Sequence, residues 1–483
     1  MTRMKYRFKP VLIAFLGSMI MLSLGCKKMA EEHNTVADPL LQKNLFEAIS
    51  QNPSLSAFAS YLVQTGLDKQ LATSKSYTVF APTNESLILL DASIKGNPAK
   101  LKQFIANHIS EELVSYSAAT PKKRILMLNG KFNAIGPFSI ESSVATQSNM
   151  YASNGILHTI NMSVNALENC WEFIATNTSA PLKQRTFLQS LFRNVFDATN
   201  ATIVGVNPVT GDPVYQKGTD SVYTNLFWRN VHDLRDERKQ FTVFILADPG
   251  WDAEQAAYSK YFATGTTDST NFATAWNIVR DFAVDTAYTP AGLPDTVVSK
   301  FGAKLPINKN AIVSSIKTSN GYVYIMGSLP VAPALRFTTR VIEGEKYIAS
   351  SNDKRSVTYF RDRYNDLSKM NYSDVLVLNH GVAMFNLRYD ISEIPSIKYK
   401  AYWVAVNDFQ TAAFTQKLGI GSPASVLLPY VNVAANVKGE VYLGEFTMAK
   451  YSPVLSLYLT AANSTANAAN PLVCDYIKLV PSL

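Results

Sequence analysis

The chain contains few cysteines, few histidines and few charged residues for its length. Its 483 residues include 3 cysteines and 5 histidines, and 17% of the residues are charged. The cysteines and histidines show no spacing typical of a zinc site, and no histidine accompanies a nucleophile in a motif such as G-x-S-x-G. No dense block of Lys and Arg is present that could follow a phosphate backbone. The composition therefore gives no support to zinc binding, to catalysis by a known triad motif or to nucleic-acid binding.

The positive charge is concentrated at the N-terminus. Of the formal net charge of +8, four units come from Arg3, Lys5, Arg7 and Lys9, so the rest of the chain carries +4. Residues 11–25 follow as 15 uncharged and mainly apolar residues. Because a helix that spans a bilayer needs roughly 20 apolar residues, this shorter run predicts a signal peptide that ends at Gly25, over residues 1–25.

The signal peptide is followed by a cysteine, Cys26, in the sequence S-L-G-C. A small residue followed by cysteine at this point resembles the lipobox of bacterial lipoproteins, which implies that Cys26 carries the lipid. The alternatives are a soluble secreted protein in which Cys26 is incidental, and a short membrane anchor. Residues 26–35 are polar and predict a tether, in which Glu31 and Glu32 resemble the surface-export signal of Bacteroidota lipoproteins. The predicted location is therefore the outer membrane, lipid-anchored, at the cell surface.

Two further cysteines, Cys170 and Cys474, lie about 300 residues apart in different predicted domains. An oxidising compartment permits a disulfide between them. Two separate buried thiols are the favoured interpretation, because the two residues belong to separate folding units.

The clearest internal pattern is a pair of sequence blocks that occurs twice. The block Y-T-V-F-A-P-T-N begins at Tyr77, and the related block F-T-V-F-I-L-A-D begins at Phe241. Each is followed by an Asn-Gly pair, at Asn154 and at Asn320. The distance from the first threonine of the block to the asparagine is 76 residues in one copy and 78 in the other. Equal landmarks at nearly equal spacing indicate a duplicated domain.

In the first copy these blocks resemble the two signature blocks of the fasciclin-like domain family. The sequence Y-T-V-F-A-P-T-N-E-S-L from Tyr77 is similar to the family's Y-T-V-F-A-P-T-N-E-A-F. The sequence N-G-I-L-H-T-I from Asn154 is similar to its N-G-V-I-H-x-I-D. Helical patterns precede the first block and lie between the two. The resemblance implies a compact α+β domain, a twisted β-wedge with packed helices, over residues 36–167.

Residues 168–333 are a diverged second copy. Residues 169–174 align with residues 44–49 at an offset of 125, and the offset has grown to 164 at Phe241. About 39 extra residues therefore enter near 180–235, where residues 204–223 predict a hairpin around Thr210-Gly211-Asp212. Inserted surface segments often carry the contacts that are specific to one protein.

Residues 334–483 lack both blocks and are rich in predicted strands. Several strands with polar turns predict an antiparallel β-sandwich. The last two strand patterns resemble the closing strands of jelly-roll carbohydrate-binding modules. The predicted fold class is thus α+β, with two tandem fasciclin-like domains followed by an antiparallel, jelly-roll-like β-sandwich.

Candidate ligand-binding residues lie on one predicted strand of this sandwich. Tyr399, Trp403 and Asn407 alternate with more polar residues, so they share one face. If the opposite face, with Val404 and Val406, is buried, they form an outward platform on which a sugar ring could stack. The alternative is that Trp403 is the core anchor of the sandwich.

Two histidines deserve the same comparison of roles. In animal fasciclin-like domains a Tyr-His pair near the position of His108 is linked to integrin adhesion, but Asn107 stands in place of the tyrosine here. His108 lies on an otherwise apolar helix and is predicted to be a core residue bonded to backbone. His158 is also predicted to pack in the core, because Tyr324 occupies the equivalent position in the second copy.

Three functions are compatible with these patterns. The first is a non-catalytic surface lipoprotein for adhesion or glycan binding, since fasciclin-like lipoproteins with an added β-domain resemble accessory proteins of Bacteroidota polysaccharide uptake. The second is a structural envelope component that docks on an outer-membrane protein. The third is a glycoside hydrolase, whose carboxylate pair is a spatial feature that sequence does not reveal. The first is the prediction, with no enzyme activity, no cofactor and no metal. Its expected partners are the membrane, through the lipid, and a polysaccharide or an outer-membrane protein.

Overall fold

The computed structural model describes residues 39–178, 180–208 and 211–483. The chain folds into two compact units, the first ending at Glu168 and the second spanning Asn169–Leu483. The predicted signal peptide, Cys26 and the tether lie outside the described residues, and so does Thr210 of the predicted hairpin turn. In the described part of the chain, no helix is long and apolar enough to cross a membrane.

The first unit combines short helices with one seven-stranded sheet. Its helices are α1 (Leu45–Ser50), α2 (Ser56–Thr65), α3 (Leu67–Leu71), α4 (Asn84–Ile88), α5 (Ala92–Lys95) and α6 (Pro98–Ala106). Its strands are β1 (Tyr77–Pro82), β2 (Ile109–Ser110), β3 (Lys123–Leu126), β4 (Phe132–Gly136), β5 (Ser139–Ile140), β6 (Ser143–Ala152) and β7 (Gly155–Ile160). The strand order is β2-β1-β7-β6-β5-β4-β3, and β1 and β7 run parallel. The apolar faces of α1, α2 and α6 pack on β1 and β7 to form one core.

The second unit begins with a helical part that also contains short strands. Its helices are α7 (Cys170–Thr176), α8 (Leu182–Ser190), α9 (Leu226–Asn230), α10 (Asp248–Tyr258), α11 (Thr267–Val279) and α12 (Pro333–Arg336). Its strands are β8 (Phe192–Phe196), β9 (Ile203–Val206), β10 (Pro213–Tyr215), β11 (Ser221–Asn225), β12 (Phe241–Leu246), β13 (Ala283–Val284), β14 (Thr296–Val298), β15 (Lys304–Pro306), β16 (Ile312–Thr318) and β17 (Gly321–Met326).

This part repeats the central topology of the first unit. Its four-stranded sheet has the order β13-β12-β17-β16, which corresponds to β2-β1-β7-β6. The parallel pair also has the same register, because Phe241 lies opposite Gly321 as Tyr77 lies opposite Gly155. The duplication predicted from the sequence blocks is therefore present as a repeated strand order.

The first helix of each unit begins with the same capping box. The Asn44 side chain accepts a hydrogen bond from the Glu47 backbone N–H, and the Glu47 carboxylate accepts one from the Asn44 N–H, both at 2.9 Å. Asn169 and Glu172 repeat this exchange at 2.8 Å. Each box satisfies N–H groups that a helix leaves free at its start. The aligned residues 44–49 and 169–174 thus begin equivalent helices.

The glycine of each Asn-Gly pair lets the two parallel strands approach closely. Gly155 and Gly321 have φ values of +153° and +148°. A Cβ atom at either position would lie 1.9 Å from a carbonyl oxygen of the neighbouring strand, that of Tyr77 or of Phe241. Only glycine fits both the conformation and the space.

The asparagine of each pair links the first helix to the sheet. Asn154 Oδ1 accepts a hydrogen bond from the Leu45 N–H at 2.8 Å, and its Nδ2 donates to two carbonyl oxygens in the segment before β1. Asn320 accepts from the Cys170 N–H at 2.9 Å and donates to two carbonyl oxygens before β12. The sequence predicted only turn chemistry for these asparagines, so their role as links is a finding of the structure.

The insertion of the second copy forms a two-stranded ribbon, composed of β8 to β11. In this ribbon β8 pairs with β11, and β9 pairs with β10. The insertion near 180–235 was predicted to contain a hairpin over residues 204–223. The paired strands begin earlier and end later than predicted, at Phe192 and at Asn225.

The C-terminal part of the second unit is a β-sandwich. Its strands are β18 (Arg340–Glu343), β19 (Ala349–Ser350), β20 (Thr358–Asn365), β21 (Met370–Val377), β22 (Asn386–Ile394), β23 (Lys398–Val404), β24 (Phe414–Ile420), β25 (Val431–Val433), β26 (Val441–Thr447), β27 (Ser452–Ala461), β28 (Leu472–Cys474) and β29 (Tyr476–Ser482). The sheet β18-β29-β23-β26 and the sheet β19-β22-β27-β24-β25 share one core between them. A third sheet, β20-β21-β28, adjoins this core through β21 and β28.

Cys170 and Cys474 are free, buried thiols in the structure. Cys170 Sγ lies 3.2 Å from the Thr318 hydroxyl, and burial raises the pKa of the thiol to about 12. The interpretation of two separate thiols is the one that the structure supports, and the disulfide alternative is wrong.

Candidate functional site

The platform proposed for Tyr399, Trp403 and Asn407 does not form. Tyr399 is 2% exposed, Trp403 1% and Asn407 0%. Tyr399 stacks on Phe446 with ring centroids 5.6 Å apart, inside the sandwich core. None of the three side chains offers a surface to a sugar ring.

The reason for this correction lies in the two ends of strand β23. Along most of the strand the outward residues are Lys398, Lys400 and Tyr402, so the alternation predicted from sequence is real but its faces are reversed. Val404 and Val406 are also buried, because from Trp403 to Asn407 the side chains on both faces of the chain are covered. The presence of buried valines therefore did not identify the solvent face.

His108 and His158 are core residues, as predicted. His108 Nδ1 contacts the Phe104 carbonyl oxygen at 2.9 Å, and its Nε2 accepts from the Val164 N–H at 2.9 Å. His158 Nε2 contacts the Val114 carbonyl oxygen at 2.9 Å. Burial lowers the pKa of each ring to about 4, so both are neutral at pH 7. Neither histidine is available to a partner.

The site that the fold does form is a cleft of ≈ 650 Å³ in the second unit. It lies where helices α9 and α11 meet the strands β22 and β27 of the sandwich. The side chains that line the cleft combine aromatic rings with hydroxyl, amide and carboxylate groups: Leu226, Asn230, Thr264, Asp268, Ser269, Phe272, Ala273, Trp276, Glu393, Tyr451 and Pro453. Ligand sites are commonly apolar concavities of this size with a few polar groups, at the junction between two folded parts.

Backbone hydrogen bonds fix the two walls of the cleft. The Tyr451 N–H donates to the Ala263 carbonyl at 2.8 Å, and the Ser396 N–H donates to the Tyr261 carbonyl at 2.8 Å. The Phe262 and Tyr451 rings meet edge to face at 5.6 Å. The helical part and the sandwich are therefore joined by directional contacts as well as by apolar packing, although the sequence predicted separate domains at residues 333 and 334.

Glu393 connects the walls at the back of the cleft. Its carboxylate accepts hydrogen bonds from Trp276 Nε1 at 3.3 Å and from Asn277 Nδ2 at 3.2 Å, and a third from the Tyr451 hydroxyl. Arg280 Nη1 lies 3.5 Å from the same carboxylate. Glu393 has a φ of +60°, a left-handed conformation that costs a non-glycine residue of the order of 1 kcal/mol. The contacts to α11 hold the residue in this conformation.

A second set of buried charges lies deeper in the helical part. Arg336 is 5% exposed and donates from Nη2 to Glu254 Oε1 at 2.9 Å. Its Nη1 donates to the Asn277 carbonyl at 2.9 Å and lies 3.5 Å from Asp281 Oδ2. The guanidinium also stacks on the Tyr258 ring at 4.3 Å. Because Arg336 ends the helix that leads into the sandwich, these contacts fix the entry of that domain.

The exposed polar groups of the cleft carry no positive charge. Asp268 and Glu393 are its two acidic lining residues, and Lys, Arg and His do not occur among the lining side chains. Arg193 stands over the Phe272 ring at 5.7 Å, outside the lining set. Phe272 is 41% exposed and is the most exposed aromatic residue among those that line the cleft. The arrangement suits a ligand with an apolar face, several hydroxyl groups and no negative charge.

Among the described residues, no group of three or more His, Cys, Asp or Glu could hold a metal ion.

Asp475 is 6% exposed, and burial raises the pKa of its carboxyl to about 7, with Glu343 and Asp374 adding to this effect.

Sequence reasoning missed this cleft because its lining comes from residues 226–453, which no motif connects. One signal was available, since the end of the insertion, with Leu226 and Asn230, supplies part of the wall. Trp276 and Phe272 recur at helical spacing and were therefore indistinguishable from core residues.

Residues 53–164 match the Fasciclin domain family. They are a Fasciclin domain. This fasciclin domain falls wholly within the first unit and contains all seven strands, β1 to β7, which confirms the predicted family for the first copy. No curated protein matches the chain.

Three solved structures illustrate what the chain is similar to. The match to the FAS1 domain pair of the insect cell adhesion molecule fasciclin I spans 59% of this chain and 100% of the domain pair, with 14% identity and a TM-score of 0.23. A family 6 carbohydrate-binding module from Clostridium stercorarium, in complex with cellobiose, covers 30% and 94%, with 15% identity and a TM-score of 0.19. A β-1,3-glucan-binding family 6 module from Bacillus halodurans covers 30% and 96%, with 14% identity and a TM-score of 0.22.

Proposed function

We propose that this protein is a non-catalytic, lipid-anchored surface protein that binds neutral glycans in the cleft of its second unit. The observation that carries the proposal is the lining of the cleft, in which aromatic rings lie beside hydroxyl, amide and carboxylate groups. A pyranose ring has an apolar face, which stacks on an aromatic ring, and a rim of hydroxyls, which exchange hydrogen bonds with polar side chains. The cleft offers both kinds of contact.

The charge of the cleft selects among glycans. Asp268 and Glu393 would repel uronate or sulfate groups, and no lining cation would attract them. The positive net charge of the whole chain is thus not reflected in this site. Neutral hexose polymers are the class that the cleft fits best.

Binding without turnover is part of the proposal. Glu393 already accepts three hydrogen bonds and lies beside Arg280, so its carboxylate is committed to holding the cleft together. Asp268 is the other carboxylate of the lining and is exposed at the start of α11. A hydrolase would need a pair of carboxylates free to act on the bond.

The fasciclin domain agrees with a role in adhesion or protein interaction. We infer that the second copy is a diverged fasciclin-like domain, supported by its matching strand order, register and capping box. On this proposal the duplicated scaffold presents the cleft, and the insertion and the sandwich supply its walls. We further propose an accessory role in polysaccharide uptake at the cell surface, which is supported by the resemblance of the predicted lipobox and tether to those of Bacteroidota lipoproteins.

Screening the full-length protein against neutral and anionic polysaccharides tests the glycan proposal. We expect retention on neutral polymers in affinity electrophoresis and none on uronate-rich or sulfated polymers, because the lining side chains include two carboxylates and no Lys, Arg or His. Replacing Phe272 with alanine should reduce the retention, and Tyr442→Ala should leave it unchanged. Tyr442 is 51% exposed on the outer face of the sandwich, outside the cleft, and so is a matched control. Retention on anionic polymers, or loss with Tyr442→Ala alone, would contradict the proposed site.

Replacing Cys26 with alanine tests the anchor. We expect the variant to lose palmitate labelling and to leave the membrane fraction, because stable anchoring takes about two acyl chains. Cys170→Ala is the control, since that buried thiol should not affect labelling. A Cys26→Ala protein that is still labelled and membrane-bound would show that the lipobox interpretation is wrong.

A further inference from the structure

The ribbon formed by β8 to β11 exposes apolar side chains on both of its faces. Ile203, Val204 and Val206 of β9 are 60%, 61% and 63% exposed, and Val214 of β10 is 44% exposed. Successive residues of a strand point to opposite faces, so Ile203 and Val204 leave neither face polar. An isolated two-stranded ribbon is marginally stable, and a contiguous exposed apolar surface indicates an interaction site.

The outer edges of strands β9 and β10 are also unpaired. Within the described residues, β9 and β10 pair only with each other. A free edge invites another strand, and proteins usually protect such edges with charged residues or proline. Strand β10 begins with Pro213, which has no N–H to donate. Strand β9, with the sequence I-V-G-V, has neither protection.

This lack of protection distinguishes β9 from the other described edge strands that contain four or more residues. The described edge strands β3, β8, β16, β18, β20 and β26 each contain at least four residues and each contain a charged residue. These charged residues include Lys123, Arg193, Lys317, Arg340, Arg361 and Glu445. Strand β11 has no charge within it, but Asp220 directly precedes it. The open edge of β9 is therefore a specific feature of the insertion.

We propose that β9 of one copy pairs in antiparallel fashion with β9 of a second copy, so that two ribbons form a four-stranded sheet. A strand without charge does not select a partner by electrostatics, but it is complementary to itself. In the two-fold antiparallel register centred on Val204, Val204 lies opposite Val204 of the other copy and Ile203 lies opposite Gly205, with no like charges facing each other. A two-fold interface of this kind uses the same surface on both molecules.

The oligomeric state of the full-length protein tests the pairing. We expect the wild type to be a dimer in sedimentation analysis in detergent, and Val204→Lys to be a monomer, because a lysine protects the edge. Val313→Lys is the matched control, since Val313 is 68% exposed on the edge strand β16. Both residues are exposed, so circular dichroism should show unchanged folds. A monomeric wild type, or a dimer that survives Val204→Lys, would overturn the proposal.

Cysteine cross-linking identifies the occupant of the edge. Oxidation of Val204→Cys in intact cells should give a covalent dimer of this chain, and Val313→Cys should give none. Cys170 and Cys474 are buried and do not interfere. Equal cross-linking of both variants, or a disulfide from Val204→Cys to a different protein in place of the dimer, would show that a second copy is not the partner.

Discussion

Replacing Arg336 with alanine should lower the free energy of unfolding of the second unit by about 3–5 kcal/mol, because removing one partner of a buried ion pair leaves an uncompensated charge. Arg336 and Glu254 have side chains that are 2% and 6% exposed, and Asp281 beside them is 1% exposed. Burial already raises the pKa of both carboxyl groups, and the guanidinium opposes this effect. Without the arginine, each carboxylate must take up a proton or pull water into the core.

Tryptophan fluorescence measures this effect on the second unit alone. All five tryptophans of the chain lie after residue 169, so unfolding by urea can be followed there without a signal from the first unit. Arg355→Ala is the control, because Arg355 pairs with Asp353 at 2.8 Å but the two side chains are 86% and 66% exposed. An exposed pair contributes little to stability, because water screens the two charges. Equal losses in the two variants would refute the buried network as a source of stability.

Acidification from pH 6.5 to pH 4 should unfold the first unit before the second. The folded pKa of His108 and of His158 is about 4, below the ordinary value of 6.5. A group with a lowered folded pKa contributes stability above its unfolded pKa and loses it as the pH falls. Each histidine should therefore remove about 3 kcal/mol by pH 4, since one pKa unit corresponds to about 1.4 kcal/mol. Geometry gives the same result, because a protonated ring would turn an N–H against the Val164 or Asn149 N–H.

The second copy supplies the design of the test. Tyr324 occupies the position of His158 and donates to the Tyr288 carbonyl at 2.8 Å, so His158→Tyr should remove the acid sensitivity of that site. The acid transition should be visible by circular dichroism and absent from tryptophan fluorescence. In the second unit the raised pKa of Asp475 has the opposite sign, because its penalty falls as the pH decreases from 7. A fluorescence change that precedes the loss of ellipticity would contradict this order.

The sequence allowed good prediction where local chemistry determines the structure. The blocks at Tyr77 and Phe241 form strands β1 and β12, as predicted. In each block, β-branched and aromatic residues stand between a turn and a proline or aspartate, a pattern that favours a strand. The Asn-Gly pairs mark the starts of β7 and β17, because glycine supplies the positive φ that the turn before each strand requires. In the sandwich the predicted strands are present, but the last predicted strand pattern is divided at Asp475 into β28 and β29, which belong to different sheets.

The sequence alone did not show which face of a strand is buried, or which distant residues come together to form the cleft. Strand β23 alternates as predicted, yet which face meets the core depends on the sheet packed against it, and so Trp403 was open to two interpretations. The cleft depends on how α11 meets β22 and β27. Its key residue, Glu393, has no local pattern, because its role comes from Trp276 and Asn277 more than a hundred residues away.

The central claim is that the cleft beside Phe272 binds a neutral glycan, and calorimetric titration tests it most directly. The ligand is an oligosaccharide of the neutral polymer that the screen retains, titrated into the full-length wild type, Phe272→Ala and Tyr442→Ala. Loss of one central aromatic contact is worth about 1–2 kcal/mol, so Phe272→Ala should bind about 5- to 30-fold more weakly, with Tyr442→Ala unchanged. Equal affinity of the wild type and Phe272→Ala would contradict the account.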